Sequence, residues 1–191
     1  MPNPEADRWN EKYSQELELW LEMEPRQLLV SFIHMLPKYG LALDAACGVG
    51  TNAIFLARHG LNVIGMDISE YALRQAISRV RFLGLPIDVA VADLSRLWLP
   101  PETFDVITNF HFLERTTIEV YKQAMKSGGY ILFDTFMAKF PSNDSPVFSL
   151  EPGELRSFFD NFEIIHYAEE MLEHGRNYRE RSVARIVARK P

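Results

Sequence analysis

Between residues 41 and 136 the chain alternates between short apolar runs and stretches with helical spacing. LALDAA, NVIGMD, IDVAVAD, FDVITNF and YILFDTF have the length and composition of buried strands. TNAIFLARHG, SEYALRQAISRVRFLG and TTIEVYKQAMKSGG read as the helices among them. Such alternation constrains the fold strongly. It predicts a parallel sheet with helices on both faces, because parallel neighbours need a crossover and a helix supplies it. The punctuation agrees. Thr51 and Ser69 stand at predicted N-caps, and Gly60 and Gly84 stand just past predicted helix ends. Thr116 and Glu119 have capping-box spacing. In the second helix Ala72, Leu73, Ala76, Ile77, Val80 and Leu83 form the apolar face. In the third, Val120, Tyr121, Ala124 and Met125 continue it.

The two flanks break the pattern. Residues 1–24 are polar with scattered aromatics, Trp9, Tyr13 and Trp20, and form an arm that folds across the active site or packs on the sheet. Pro25 then opens a helical pattern that Pro37 ends. At the carboxyl side a short helix, PGELRSFF, precedes two strand-like runs, FEIIHYAEE and SVARIVARK. Only about a dozen residues join those runs, too few for a parallel crossover, so they are predicted to pair antiparallel. One domain over residues 1–191 is expected, with residues 25–191 as its core.

The first strand runs into LDAACGVGTN, residues 43–52. Gly48 and Gly50 after a strand allow close backbone approach to a ligand, at the sheet end where open α/β folds bind one. GVGTNA alone is a loose dinucleotide pattern. Asp44 argues against a pyrophosphate: at about 5 Å and an effective dielectric of 20, one like-charge pair costs roughly 3 kcal/mol. A cationic nucleoside reverses that sign, and S-adenosylmethionine carries an ammonium and a sulfonium without phosphate. The second strand ends in Asp67, placed to accept from ribose hydroxyls, with Ile68 beside the adenine. The third ends in Asp93 and Leu94, placed to accept from the adenine amino group and to donate a backbone N–H to a ring nitrogen.

These residues, with VADL and FDVITNF, resemble the class I S-adenosylmethionine-dependent methyltransferases. FDTF and LEPGELRSFF resemble the tellurite-resistance and thiopurine-type group within them. The likeness spans about residues 9 to 190, with Ala46 where the family pattern has its first glycine and KSGG where KPGG is usual. The resemblance implies a Rossmann-like, doubly wound, seven-stranded sheet of order 3-2-1-4-5-7-6 with the last strand antiparallel. It implies S-adenosyl-L-methionine as cofactor and S-adenosyl-L-homocysteine as product. It adds Cys47, Asn52, Asn109 and Phe110 to Asp44, Gly48, Gly50, Asp67, Ile68, Asp93 and Leu94 on the cofactor side.

NFHFLER follows the fourth strand, where acceptors meet the methyl group in this fold, and it lacks the prolines of enzymes that methylate base amines. His111 is the candidate base or orienting donor, against the alternative that it caps local backbone. Trp9, Tyr13, Phe112, Phe136, His174 and Arg176 are the candidates for the acceptor pocket, and the loop of residues 136–149 is a candidate lid. A small-molecule methyltransferase is the expected function. The alternatives are an NAD(P)-dependent oxidoreductase and a module that binds S-adenosylmethionine without catalysis. Formal net charge is −6, which argues against nucleic acid or an anionic membrane as partner. No Cys/His cluster has metal-ligand spacing, so no metal is expected. The single cysteine, Cys47, suits a reducing cytoplasm, and neither an apolar run of membrane length nor a signal peptide is read.

Overall fold

The computed structural model describes residues 3–138, 149–172 and 181–191. Its sheet has seven strands: β1 (Leu41–Ala45), β2 (Asn62–Asp67), β3 (Ile87–Val91), β4 (Phe104–Phe110), β5 (Met125–Phe136), β6 (Glu163–Leu172) and β7 (Arg181–Arg189). Their order is β3-β2-β1-β4-β5-β7-β6. The first five are mutually parallel, and β7 runs antiparallel to both β5 and β6. The expected order and the closing antiparallel pair are both present.

Among the described residues seven α-helices accompany the sheet: α1 (Pro4–Gln15), α2 (Leu17–Leu21), α3 (Gln27–Phe32), α4 (Thr51–His59), α5 (Glu70–Leu83), α6 (Arg115–Ala124) and α7 (Glu154–Phe158). Alternation along each strand divides the core in two. Leu43, Ile107, Ile131, Phe133 and Ile186 face Ile118 and Tyr121 of α6 and Leu155 of α7. Ala42, Val106, Leu132 and Val187 face Leu28 and Leu29 of α3 and Leu56 of α4. Helices thus cover both faces, as continuous apolar strands require.

Four boundaries differ from expectation. Gly50, not Thr51, is the N-cap of α4, because its left-handed φ of +79° turns the chain into the helix. Glu114, not the Thr116/Glu119 pair, caps α6: its carboxylate accepts from the Thr116 amide, and Glu119 instead meets Lys122 one turn on. The segment MKSGG belongs to β5 and not to the end of α6, because Met125 pairs with Phe104 of β4. Between residues 25 and 37 the helix is also shorter than its apolar pattern, with α3 passing into a 3-10 turn over Ile33–Met35.

Gly60 closes α4 at φ +120°, and a Cβ there would stand 2.2 Å from the Lys38 carbonyl oxygen. Gly60→Ala is expected to lower the free energy of unfolding by about 2 kcal/mol. The measurement is a urea titration at constant m-value. An unshifted midpoint would mean that the turn relaxes without cost.

Candidate functional site

The carboxyl ends of β1 to β5 share one rim, and a cavity of about 510 Å³ opens there. Its floor is the loop after β1. Ala46, Gly48 and Gly50 all take the left-handed conformation, at φ +54°, +53° and +79°. The Cys47 amide donates to Met66 of β2 and the Gly50 amide to the Cys47 carbonyl, so the loop is folded on itself. Both glycines serve close protein contacts. A Cβ at Gly48 would lie 2.5 Å from the Tyr13 hydroxyl, and one at Gly50 would lie 3.2 Å from the Ala76 methyl carbon. Gly48 still lines the cavity, whereas Gly50 is spent on packing α4 against α5.

The three aspartates at successive strand ends have three different environments. Asp44 is 1% exposed and does not line the cavity, contrary to the expectation that it faces a ligand at the loop mouth. It points instead to β4, where the Thr108 hydroxyl donates to Oδ1 at 2.8 Å, and Oδ2 has no hydrogen-bond partner among the described residues. Burial lifts its carboxyl to about 7, with Thr108 and the Ala53 amide opposing the lift. Asp67 does line the cavity. Its oxygens accept from the Gly48 amide and the Ser69 amide, each at 2.8 Å. Burial pushes its carboxyl up, and those amides pull it back. Asp93 lines the cavity at the end of β3, and the Ser95 amide and hydroxyl donate to its Oδ1. The Ser95 hydroxyl is the main reason its carboxyl lies below the ordinary value.

Much of the polar arm is helical, as α1 and α2, and residues 5–24 contribute to the cavity wall. Trp9, Tyr13 and Trp20 stack in series, with ring centroids 5.8 and 4.8 Å apart. The Lys12 ammonium lies over the Trp9 and Trp20 rings at 4.8 and 5.6 Å. Two polar fastenings hold α1 down. Asn10 Oδ1 accepts from the Ser69 hydroxyl and the Tyr71 amide, and Asn3 donates to Asp93 Oδ2 at 3.2 Å. Burial pushes the Tyr13 hydroxyl far above its ordinary value, and Asp67 adds to this, so it stays protonated.

At the far end stand Phe110, His111, Phe112 and Phe136. His111 takes φ +56°, a left-handed conformation that costs a side-chain-bearing residue about 1 kcal/mol or more. Asp134 of β5 holds it there: the His111 amide donates to the Asp134 carbonyl at 2.8 Å and lies 3.3 Å from its Oδ1. The ring stacks on Phe136 at 4.5 Å, and its Nε2 meets the Arg26 guanidinium. Asn109 is not on the cavity wall. Its side chain is buried between the Phe112 carbonyl and the Tyr121 hydroxyl, and it ties β4 to α6.

Of the remaining expected site residues, Cys47, Asn52, Ile68 and Leu94 line the cavity. His174 and Arg176, and residues 139–148 of the candidate lid, lie outside the described residues. Sequence reading missed Lys12, Arg26 and Asp134. A signal for Asp134 was present, since a charge inside the apolar run YILFDTF needs a buried partner. Among the described residues no cluster of metal-ligating side chains occurs, and no helix is long and apolar enough to cross a membrane.

Residues 42–129 match the model of a family described as a methyltransferase domain. Over 104 residues, 51% of this chain, the sequence is 32% identical to a ubiquinone biosynthesis O-methyltransferase of Azoarcus sp., and the match spans 45% of that enzyme. Among solved structures, TehB from Haemophilus influenzae superposes with a TM-score of 0.73 at 23% identity, covering 86% of this chain and 61% of that one. A Haemonchus contortus phosphoethanolamine N-methyltransferase 2 in complex with S-adenosyl-L-methionine superposes with a TM-score of 0.70 at 17% identity, covering 86% and 52%. At these identities the superpositions show a shared fold.

The raised Asp44 carboxyl has a consequence for stability. The folded state keeps a proton that the unfolded chain releases near 3.8. Stability from this group is therefore full below about 3.8 and declines as pH rises to about 7, at roughly 1.4 kcal/mol per unit of the gap. Asp44→Asn still accepts from Thr108 and cannot ionise. It is expected to flatten the unfolding free energy across that window, as measured by urea titrations at several pH values. Parallel slopes in the two proteins would show that Asp44 ionises freely when folded.

Proposed function

Because the chain belongs to the class I S-adenosylmethionine-dependent methyltransferases, we propose that it methylates a small-molecule acceptor held in the cavity at the sheet rim. The observation that carries this reading is the charge of the cavity wall. Five carboxylates, Glu5, Glu24, Asp67, Asp93 and Glu114, face it against one lysine and one arginine. That lining favours a cationic nucleoside and disfavours the pyrophosphate of a nicotinamide cofactor. The acidic role expected of Asp44 thus passes to residues on the wall itself.

The residues present suit S-adenosylmethionine. Asp67 is immobilised by two amides and retains lone pairs for ribose hydroxyls. Ile68 and Leu94 supply apolar contact at the adenine end, and Asp93 supplies an acceptor there once Asn3 yields its place. When bound, this cofactor supplies a methyl group on sulfur that is already activated for in-line displacement. The chain's own task is to hold the acceptor in line and keep water away. Phe110, Phe112 and Phe136 wall the acceptor end, and Trp9, Tyr13 and Trp20 cover the cavity from above. The arm, as far as its described residues 3–24 go, is then a cover of the site. His111 Nε2 lies against the Arg26 guanidinium, and the ring faces the acceptor end of the cavity as an orienting group or, where that contact opens, as a base. We place the protein among the tellurite-resistance and thiopurine-type group, acting in the cytoplasm on a partner other than nucleic acid.

Asp67→Ala is expected to weaken binding of S-adenosylhomocysteine at least tenfold, about 1.4 kcal/mol, by calorimetry. Unchanged affinity in a folded variant would refute the ribose assignment. His111→Ala is expected to reduce turnover in a labelled-methyl assay more than it reduces cofactor affinity. Equal losses in both would make the histidine structural.

A further inference from the structure

Arg79 of α5 holds the loop after β1 without being part of the cavity wall. Its Nη1 donates to the Val49 carbonyl at 2.8 Å and to the Thr51 hydroxyl at 3.1 Å. Val49 and Thr51 flank Gly50, the left-handed N-cap of α4. Both acceptor residues line the cavity, and Arg79 is not among the residues that do. The two bonds therefore clasp the loop across its glycine, where the backbone is freest to turn. Ala76 lies one turn before Arg79 on α5, and its methyl carbon is the atom that a Cβ on Gly50 would meet. The same face of α5 thus holds this segment by packing at one turn and by hydrogen bonds at the next.

Charge attraction does not account for that placement. Burial pushes the Arg79 guanidinium below its ordinary value, and Arg58 of α4 adds to the push. The guanidinium also stands at the amino end of α4, the positive end of that helix dipole. It remains protonated. The two acceptors are neutral groups of the loop, and a charged donor makes the stronger bond to each. The loop itself needs such support. Ala46, Gly48 and Gly50 all take the left-handed conformation, and a glycine loop loses much freedom when it is ordered. The Gly48 amide, bonded to Asp67, and the Gly50 amide, bonded to the Cys47 carbonyl, fix its first half. Arg79 fixes its second half, where the chain enters α4. A floor ordered in advance spares ligand binding that entropic cost.

We propose that Arg79 is a positioning residue for the cofactor: it pre-orders the segment from Val49 to Thr51, so that the cavity floor has its binding shape before S-adenosylmethionine enters. The inference rests on the methyltransferase reading and adds to that site a residue that acts on the cofactor only through the loop.

The full chain is compared with Arg79→Met, which keeps an apolar stem and removes the donors. Each is titrated calorimetrically with S-adenosylhomocysteine, and amide hydrogen exchange is followed in the ligand-free protein. Arg79→Met is expected to bind S-adenosylhomocysteine about tenfold more weakly, with a less favourable binding entropy. Its amides at residues 47–52 are expected to exchange about tenfold faster, while β1 and the body of α5 keep wild-type protection. Saturation with S-adenosylhomocysteine is expected to restore the loop's protection. Arg79→Lys, which keeps a charged donor, is expected to recover part of both effects. Circular dichroism checks folding, and Arg79→Gln, too short to reach the loop, takes the place of the methionine variant should that not fold. Unchanged affinity in a folded variant overturns the proposal. So does weaker binding with loop exchange at the wild-type rate, or with exchange raised equally through β1 and α5, because Arg79 would then act by another route or on stability alone. Failure of the wild-type chain to bind S-adenosylhomocysteine would instead overturn the methyltransferase reading itself.

Discussion

The site depends on one carboxylate. Asp67 ends β2 and accepts from the Gly48 amide and the Ser69 amide, so one side chain fixes the loop after β1 and the first turn of α5 together. Ser69 in turn donates to Asn10, which anchors the roof. Strand end, glycine loop, helix cap and cover are thus linked through a single buried carboxyl group. Such burial is costly for a carboxylate, and the amides offset the cost. Geometry set by two hydrogen bonds from different elements is also stiff, which is what a binding residue needs if its remaining lone pairs are to point one way.

The acidic cavity and the cationic Arg26 are compatible because they occupy different strands. The carboxylates of β2 and β3 lie on one side of β1, and Arg26 meets β4 and β5 on the other. A doubly wound sheet separates two charge environments along its rim simply by strand order.

Most of the sheet was readable from the sequence, because each strand is a short apolar run bounded by turn residues and each helix carries a clear face. The end of the chain was readable because a short connection forbids a parallel crossover. Asp67 and Asp93 were readable as strand-end residues. What escaped was decided by distant contacts. Asp44 turns away from the cavity because of Thr108, which lies 64 residues further along. Arg26 and Asp134 meet only when α3 lies across β5, and no local pattern announces that. The arm is a partial exception: Trp9, Tyr13 and Trp20 lie close to one helical stripe, yet its polar composition hid the helix. Thr51 lost its cap position because glycine adopts the left-handed turn more readily than any competitor.

Asp134 contributes its carbonyl to the His111 amide and its carboxylate to the neighbourhood of Arg26, from a strand whose side chains alternate between two covered faces. Moving β5 by a single residue would carry that carboxylate to the α6 side of the sheet, leaving the arginine without its counter-charge and the histidine without its restraint. Strand alignment therefore also sets the posture of the arginine and the histidine at the rim: a slip in the ladder undoes both at once.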